Sequence, residues 1–517
     1  MNIAMPFHPV LAALAPVLLL LSANAAEAPP LTALRAALTA VLLVGILWTV
    51  LAVGLRSVAR AAGLTTLLVV FGSTTLPLSR AVAGMANLGE SGYRWALGAG
   101  LIIVWLLIIA IVIRRVLTAS RLNALNRNFN LMLACLLMVP IANIAFVNLS
   151  DTPTADVVSP PSIEVQQARH LPDVYYIIPD AYGRGDVLES MYGYDNREFL
   201  QALEDLGFIV CEASVSNYSQ TALSLPSSLN MSYLHPPEDD AASNSRTAAF
   251  NALLDNAVMK AFSDAGYTTV VHSSSYTFAD IRSADVYLSP GPNEFEQIAI
   301  GTFLGRLWFS LRDIFGWDLS RYGRITAMLE TLGEERQMRD PVFVFAHFLA
   351  PHPSFIFNED GSERCPVGDD MHDEEHFPPV IHDVDAYRAA YIRQLKGVNV
   401  HLLEAVRRII AATDDPCIII IQGDHGPGAE TRWEEPENTN MPERMGIINA
   451  YLLPEEAGEH LYPEITPVNS FRLVLNHVLG TDLELLEDRA YFSRWSRPYD
   501  FIDVTDRVRD GAEDAAE

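Results

Sequence analysis

The sequence is poor in cysteine and in positive charge. Four cysteines in 517 residues are too few for a fold stapled by disulfides. Cys135 falls inside an apolar run and reads as inert, while Cys211, Cys365 and Cys417 lie in the downstream half. Cys211 with Cys365 is the preferred pairing should a disulfide form, a choice the sequence does not decide. Against 63 acidic residues stand only 35 Lys and Arg, a net charge of −28. That deficit argues against a nucleic-acid partner and against a basic patch held to anionic lipid heads. No internal repeat is present, and no Lys or Arg precedes the first apolar run.

Apolar residues are what the chain has in excess: 50% of it is hydrophobic, with a mean hydropathy of +0.18. Residues 9–25, 34–55, 63–80, 96–113 and 130–149 are each long enough to cross a bilayer core, which predicts a bundle of about five transmembrane helices over 1–150. Arg56 and Arg60 follow the second run, and Arg114, Arg115, Arg121 and Arg127 follow the fourth; the opposite loops hold Arg35, Arg80 and Arg94. By the positive-inside rule, everything after residue 150 is exported, to the periplasmic or extracellular side of a multi-pass inner-membrane protein. Residues 1–26 also read as a signal peptide, because "SANAA" offers small residues for cleavage. Both readings leave the downstream half outside.

Residues 151–170 are Pro-, Ser- and Thr-containing and unpatterned, and read as a linker. From 171 to 495 strand and helix signals alternate. The runs 173–179, 267–273, 341–348 and 416–422 are β-rich with few polar residues, as buried parallel strands are, and helical periodicity marks 196–206, 248–265 and 386–412. Alternation of this kind predicts an α/β domain with its sheet covered on both faces. Residues 302–317 place Arg306 and Arg312 on the polar side of an apolar helix, which either lies on the membrane surface or packs on the core. Residues 496–517 are acidic and read as a disordered tail.

Ligands of open α/β sheets bind beyond the carboxyl ends of the strands. One strand runs into Asp180, one into His347 and His352, and one into Asp424 and His425. Two acids with an imidazole suit a divalent ion, Zn²⁺ or Mn²⁺ first and Mg²⁺ or Ca²⁺ next. A set of Asp180, Asp424 and His425 leaves a coordination position open. A hydroxyl can fill it and become a usable nucleophile, and "SNYSQTALSLPSSLN" (216–230) offers Ser219, Thr221 and Ser224. Ser224, two residues before Pro226, reads equally as a helix N-cap, and Thr221 taken alone as a loop residue. Arg444 precedes another strand signal and reads either as an anion holder or as half of a surface salt bridge.

The stretch "SQTALSLPSSLNM" resembles the T-A-x-S-V-P nucleophile motif of phosphoethanolamine transferases. The order Asp180, Thr221, His347-x4-His352-Pro, Asp424-His425-Gly is similar to that of the alkaline-phosphatase/sulfatase superfamily. Membrane spans ahead of an exported catalytic domain resemble its transferase branch, which includes lipoteichoic acid synthases. The resemblance implies an α/β/α sandwich, with Thr221 as metal-bound nucleophile and Asp180, Asp424 and His425 as metal ligands. It implies that His352 meets the substrate or a second metal, with His347 near it. The implied reaction moves a phospho-head-group from a membrane lipid to an envelope glycan or lipid; a phosphatase, phosphodiesterase or sulfuric ester hydrolase is the alternative. Two departures stand out. No histidine follows the Asp-His-Gly motif within "PGAETRWEEPENTNMPERMG", and the sulfatase pattern [CS]-x-P-x-R finds only Ser224-Leu225-Pro226-Ser227-Ser228, without its arginine.

Overall fold

A computed structural model describes residues 5–25, 30–85, 119–150, 156–164, 171–237, 244–289, 295–296, 299, 320–337, 341–364, 383–412 and 416–513. The chain divides into two compact units, Met1–Thr152 with Pro292–Trp317 and Pro153–Gly291 with Asp318–Glu517.

The first unit is helical: α1 (His8–Ala23), α2 (Leu34–Leu55), α3 (Val58–Met85) and α4 (Ala119–Ser150). Two of its helical stretches, Pro30–Leu55 and Leu122–Val147, are long and apolar enough to cross a bilayer, and His8–Ala23 and Val58–Thr74 are shorter apolar helices. The expected spans at 96–113 and the amphipathic segment 302–317 lie outside the described residues. Polar groups tie the helices together inside. His8 donates its backbone N–H to Asn130 Oδ1 at 2.8 Å, and its ring contacts Thr66 Oγ1 at 2.6 Å and Asn126 Oδ1 at 3.0 Å. Arg35 pairs with Glu296 in the same unit.

The second unit is built on a seven-stranded sheet in the order β2-β7-β6-β1-β5-β3-β4. In chain order its main elements are β1 (Val174–Pro179), α5 (Gly185–Tyr192), α6 (Arg197–Glu204), β2 (Ile209–Val210), α7 (Thr221–Asn230), α8 (Thr247–Leu254) and α9 (Ala257–Asp264). There follow β3 (Thr268–His272), β4 (Val286–Leu288), α10 (Arg321–Thr331), β5 (Val342–Phe348), α11 (Val384–Ala412), β6 (Ile418–Gln422) and α12 (Met441–Met445). The chain closes with β7 (Asn449–Leu452), α13 (Pro467–Leu479), β8 (Tyr491–Arg494), β9 (Arg497–Asp503) and α14 (Thr505–Glu513). Successive strand side chains point to opposite faces, and β1 obeys: Tyr175 and Ile177 join one core with Leu188, Leu395 and Leu402, while Val174, Tyr176 and Ile178 join another with Leu229, Phe262 and Val474. Both faces are therefore covered by helices, the α/β/α architecture that the alternating signals imply.

Four differences from the sequence reading have physical causes. The sheet is mixed, because β7 runs antiparallel to β6 and β2 antiparallel to β7. The helix expected over 248–265 is two helices, parted at Asn256, whose side chain accepts the Met259 N–H and starts α9. The expected tail carries β9 and α14: Tyr499, Val504 and Val508 are buried, and together with Phe501 and Ile502 they give this acidic stretch an apolar side to pack. Part of the expected linker is also packed, since Val157 is buried against Tyr218 and Leu223 and Val158 bridges to Leu234.

Candidate metal and nucleophile site

The central strands β6, β1 and β5 are parallel neighbours, so their carboxyl ends open on one edge of the sheet. β1 delivers Asp180, whose backbone N–H donates to the Phe348 carbonyl at 3.0 Å and so extends the pairing with β5. β5 delivers His347, paired in register with Ile178. β6 ends at Gln422, and Gly423 leads into Asp424 and His425. The turn after Asp180 is tight: Ala181 takes a left-handed φ of 63°, and its N–H donates to Asp424 Oδ1 at 3.1 Å. One strained residue thus orients the two carboxylates toward each other. Gly426 is required by close approach, because a Cβ there would lie 2.2 Å from the Glu443 carbonyl oxygen and 2.6 Å from that of Gly446.

Ligand atoms of Asp180, His347 and Asp424 all lie within 4.8 Å of one another. His347 Nε2 is 3.3 Å from Asp180 Oδ2, and His425 Nε2 is 3.6 Å from Asp180 Oδ1 and 3.5 Å from Asp424 Oδ2. All four side chains are buried. Asp180 Oδ1, Asp424 Oδ2 and both ring nitrogens of His347 have no hydrogen-bond partner. Two carboxylates with orphaned oxygens in a dry pocket repel each other and cost several kcal/mol in lost hydration. A divalent cation relieves both penalties, so these residues fit one. His347 belongs to this tightest group, whereas the sequence places it only nearby.

Thr221 opens α7, and its Oγ1 lies 3.2 Å from His425 Nε2. His425 Nδ1 lies 2.9 Å from the Gly426 carbonyl; a carbonyl only accepts, so Nδ1 carries the proton and Nε2 presents a lone pair. Burial first, and the Arg444 charge second, lower the His425 pKa to about 4, against the opposing pull of Asp424 and Asp180. The imidazole is therefore neutral at physiological pH. Burial disfavours ionised Asp180, but the charge of His352 and the His347 ring 3.3 Å away outweigh it, holding the carboxyl below its ordinary range. His352 is half-buried, its Nδ1 2.7 Å from the Pro353 carbonyl and its ring centroid 6.3 Å from that of His425.

The structure separates the three hydroxyl candidates. Gln220, extended at φ −129° and ψ 133°, is the N-cap of α7, and its carbonyl accepts from the N–H groups of Leu223 and Ser224. Ser224 is thus inside the helix and is not its cap. Ser219 and Ser224 are buried with unpartnered hydroxyls, while Thr221 is the one set against His425. Cys211 and Cys417 are buried thiols outside any disulfide, and Cys365 lies outside the described residues. Arg444 is buried, not at the surface, and donates to main-chain carbonyls of Ser219 and Gly426. The surface salt-bridge reading of Arg444 does not hold. Tyr276, beyond β3, stands 6.4 Å from the His347 ring; its strand end carries no carboxylate, so the sequence offers no signal for it.

A parallel-centred α/β/α sandwich with acids and imidazoles at the ends of its central strands defines a class of ester-processing metalloenzyme. The sulfatase family model matches residues 172–471, more than half the chain. The chain therefore belongs to the sulfatase family, within the alkaline-phosphatase/sulfatase superfamily, and is an enzyme of phosphate or sulfate esters. No curated protein matches it. Among solved structures it is similar to the C-terminal periplasmic domain of EcEptC from Escherichia coli, at 14% identity over 68% of this chain and 96% of that one, with a TM-score of 0.40. It is also similar to the integral membrane lipooligosaccharide phosphoethanolamine transferase A of Neisseria meningitidis, at 14% identity over 74% of this chain and 69% of that one, TM-score 0.36. The phosphonate monoester hydrolase of Agrobacterium radiobacter is similar at 14% identity over 62% of this chain and 80% of that one, TM-score 0.37.

Proposed function

We propose that the chain is a membrane-anchored phosphotransferase that moves a phosphoethanolamine- or phosphoglycerol-like group from a membrane lipid to an envelope glycan or lipid through a covalent intermediate on Thr221. The observation that carries the reading is the Thr221 hydroxyl, at the start of a helix and 3.2 Å from a neutral His425 nitrogen, beside the buried Asp180, His347 and Asp424 group. A bound Zn²⁺ or Mn²⁺, held by Asp180, His347, Asp424 and His425, supplies charge neutralisation and a lowered hydroxyl pKa. Thr221 Oγ1 attacks the donor phosphorus, forming the O–P bond as the lipid alcohol leaves. The acceptor hydroxyl then attacks the same phosphorus and releases Thr221. The positive end of the α7 dipole favours the anionic phosphoryl oxygens. His352, its ring 6.3 Å from that of His425, is the residue that would exchange protons with the leaving and entering hydroxyls. The active site belongs on the periplasmic or extracellular side, and its donor is a lipid of the membrane that anchors the chain.

The test is the mass of the Thr221 peptide from protein extracted gently from its own membrane, with Asp424→Asn to slow release. An adduct on Thr221 supports the reading, and its mass names the transferred group. An adduct on Ser219 or Ser224 overturns the nucleophile. A bare phosphate that clears to water, with no acceptor modified, makes the enzyme a hydrolase.

A further inference from the structure

Arg444 lies on α12, distant in sequence from every residue of the site, yet it touches both halves of it. Its Nε and Nη2 donate to the Ser219 carbonyl at 2.9 and 2.7 Å, two residues before Thr221. Its Nη1 donates to the Gly426 carbonyl at 3.2 Å, one residue after His425. The Gly426 N–H in turn donates to the Arg444 carbonyl at 2.8 Å, so one residue grips both peptide groups of Gly426. The Trp433 ring lies 4.8 Å from the guanidinium carbon.

We propose that Arg444 is a positioning residue that sets the Thr221 hydroxyl against the Asp424-His425 turn. The inference rests on the reading of Thr221 as nucleophile. Each of the three guanidinium nitrogens donates to a main-chain carbonyl and the side chain is buried, the arrangement of a tie between two backbone segments. Bridging two carbonyls at once needs the rigid planar fork of arginine; lysine, a point charge on a flexible stem, holds one or the other. Asp180 and His347 are anchored through the paired strands β1 and β5, and Asp424 by the Ala181 N–H at 3.1 Å, so this group has anchors besides the bridge. Loss of Arg444 therefore loosens the nucleophile without emptying the ligand group. A misplacement of about 1 Å costs on the order of 100-fold in rate.

The test compares full-length protein in detergent carrying Arg444→Lys, Arg444→Gln or Thr221→Ala, with bis(p-nitrophenyl) phosphate as probe and bound metal counted per chain. Both Arg444 variants are expected to keep the wild-type metal content and a KM within about threefold, while kcat falls about 10- to 100-fold and lysine gives no rescue. Wild-type kcat in folded Arg444 variants, with Thr221→Ala inactive, overturns the positioning role alone. A raised KM that lysine restores overturns it in favour of a charge contact to substrate. Full turnover by Thr221→Ala overturns the nucleophile and the positioning role together. Should Arg444→Gln fail to fold, judged by its melting, Arg444→Lys decides, since it keeps the charge and most of the stem.

Discussion

The two units are inverted with respect to each other. In the helical unit large apolar side chains face outward, Leu42 at 63% exposure, Val53 at 74%, Val139 at 72% and Phe146 at 70%, while His8, Thr66, Asn126 and Asn130 are buried. In the sheet unit the apolar residues of β1, β5 and β6 are wholly buried. An outside of leucine and valine costs nothing where the surroundings are themselves apolar, and there the helices are joined by polar contacts as well as by a small apolar cluster of Val17, Leu21, Ala33 and Phe295. In the sheet unit the buried polar groups are of another kind: Asp180, Asp424 and His347 are inside with orphaned atoms, which marks a site, whereas the polar groups around His8 are paired and serve packing.

The largest way to test this contrast is to strike the orphaned cluster. Asp424→Asn is expected to lower turnover on the order of 10³-fold or more, and chelation should do the same to the wild type, reversed by added Zn²⁺ or Mn²⁺; kinetics with metal analysis checks both. Equal leucine truncations should then behave unequally. Leu402→Ala, in the buried core of the sheet unit, is expected to cost about 2–5 kcal/mol. Leu42→Ala, facing outward, should leave denaturation of the detergent-solubilised protein almost unchanged. A large loss at Leu42 would break the inversion. Replacing His8 with alanine removes the centre of a paired polar network, with an expected cost of roughly 0.6–2 kcal/mol in the helical unit and no change in sheet-unit melting. The smallest effect is chemical. Burial pushes the Cys211 thiol up to about 12, so maleimide at pH 8 should leave it unlabelled until the protein is denatured.

Much of the sheet unit was legible because buried strands and strand-end ligands leave local marks. The runs around Asp180, His347 and Asp424 matched β1, β5 and β6 within two residues at each end, since an apolar β-rich run closed by a polar residue has few other readings. The misreadings share a cause. The tail looked solvated by its charge, but Tyr499 packs with Tyr218 and Leu223, and Val504 and Val508 pack with Met441, Met445 and Phe492, surfaces supplied by segments far from it in the chain. Ser224 looked like a cap because proline follows it, yet the helix starts at Thr221, where the extended Gln220 turns the chain.

The sequence by itself determined the class of each unit and the chemistry of the site, because hydropathy, alternation and ligand type are properties of short stretches. It pointed to Asp180, Asp424 and His425 from their places at strand ends, and to Thr221 through the resemblance of its motif. The tertiary structure alone decided that Thr221 and not Ser219 or Ser224 meets His425, that His347 joins the carboxylates, and that Arg444 links the two halves of the site. Most of those are contacts between residues far apart in the chain, such as His347 with Asp180 and Arg444 with Ser219, and only the order and register of the strands bring them together.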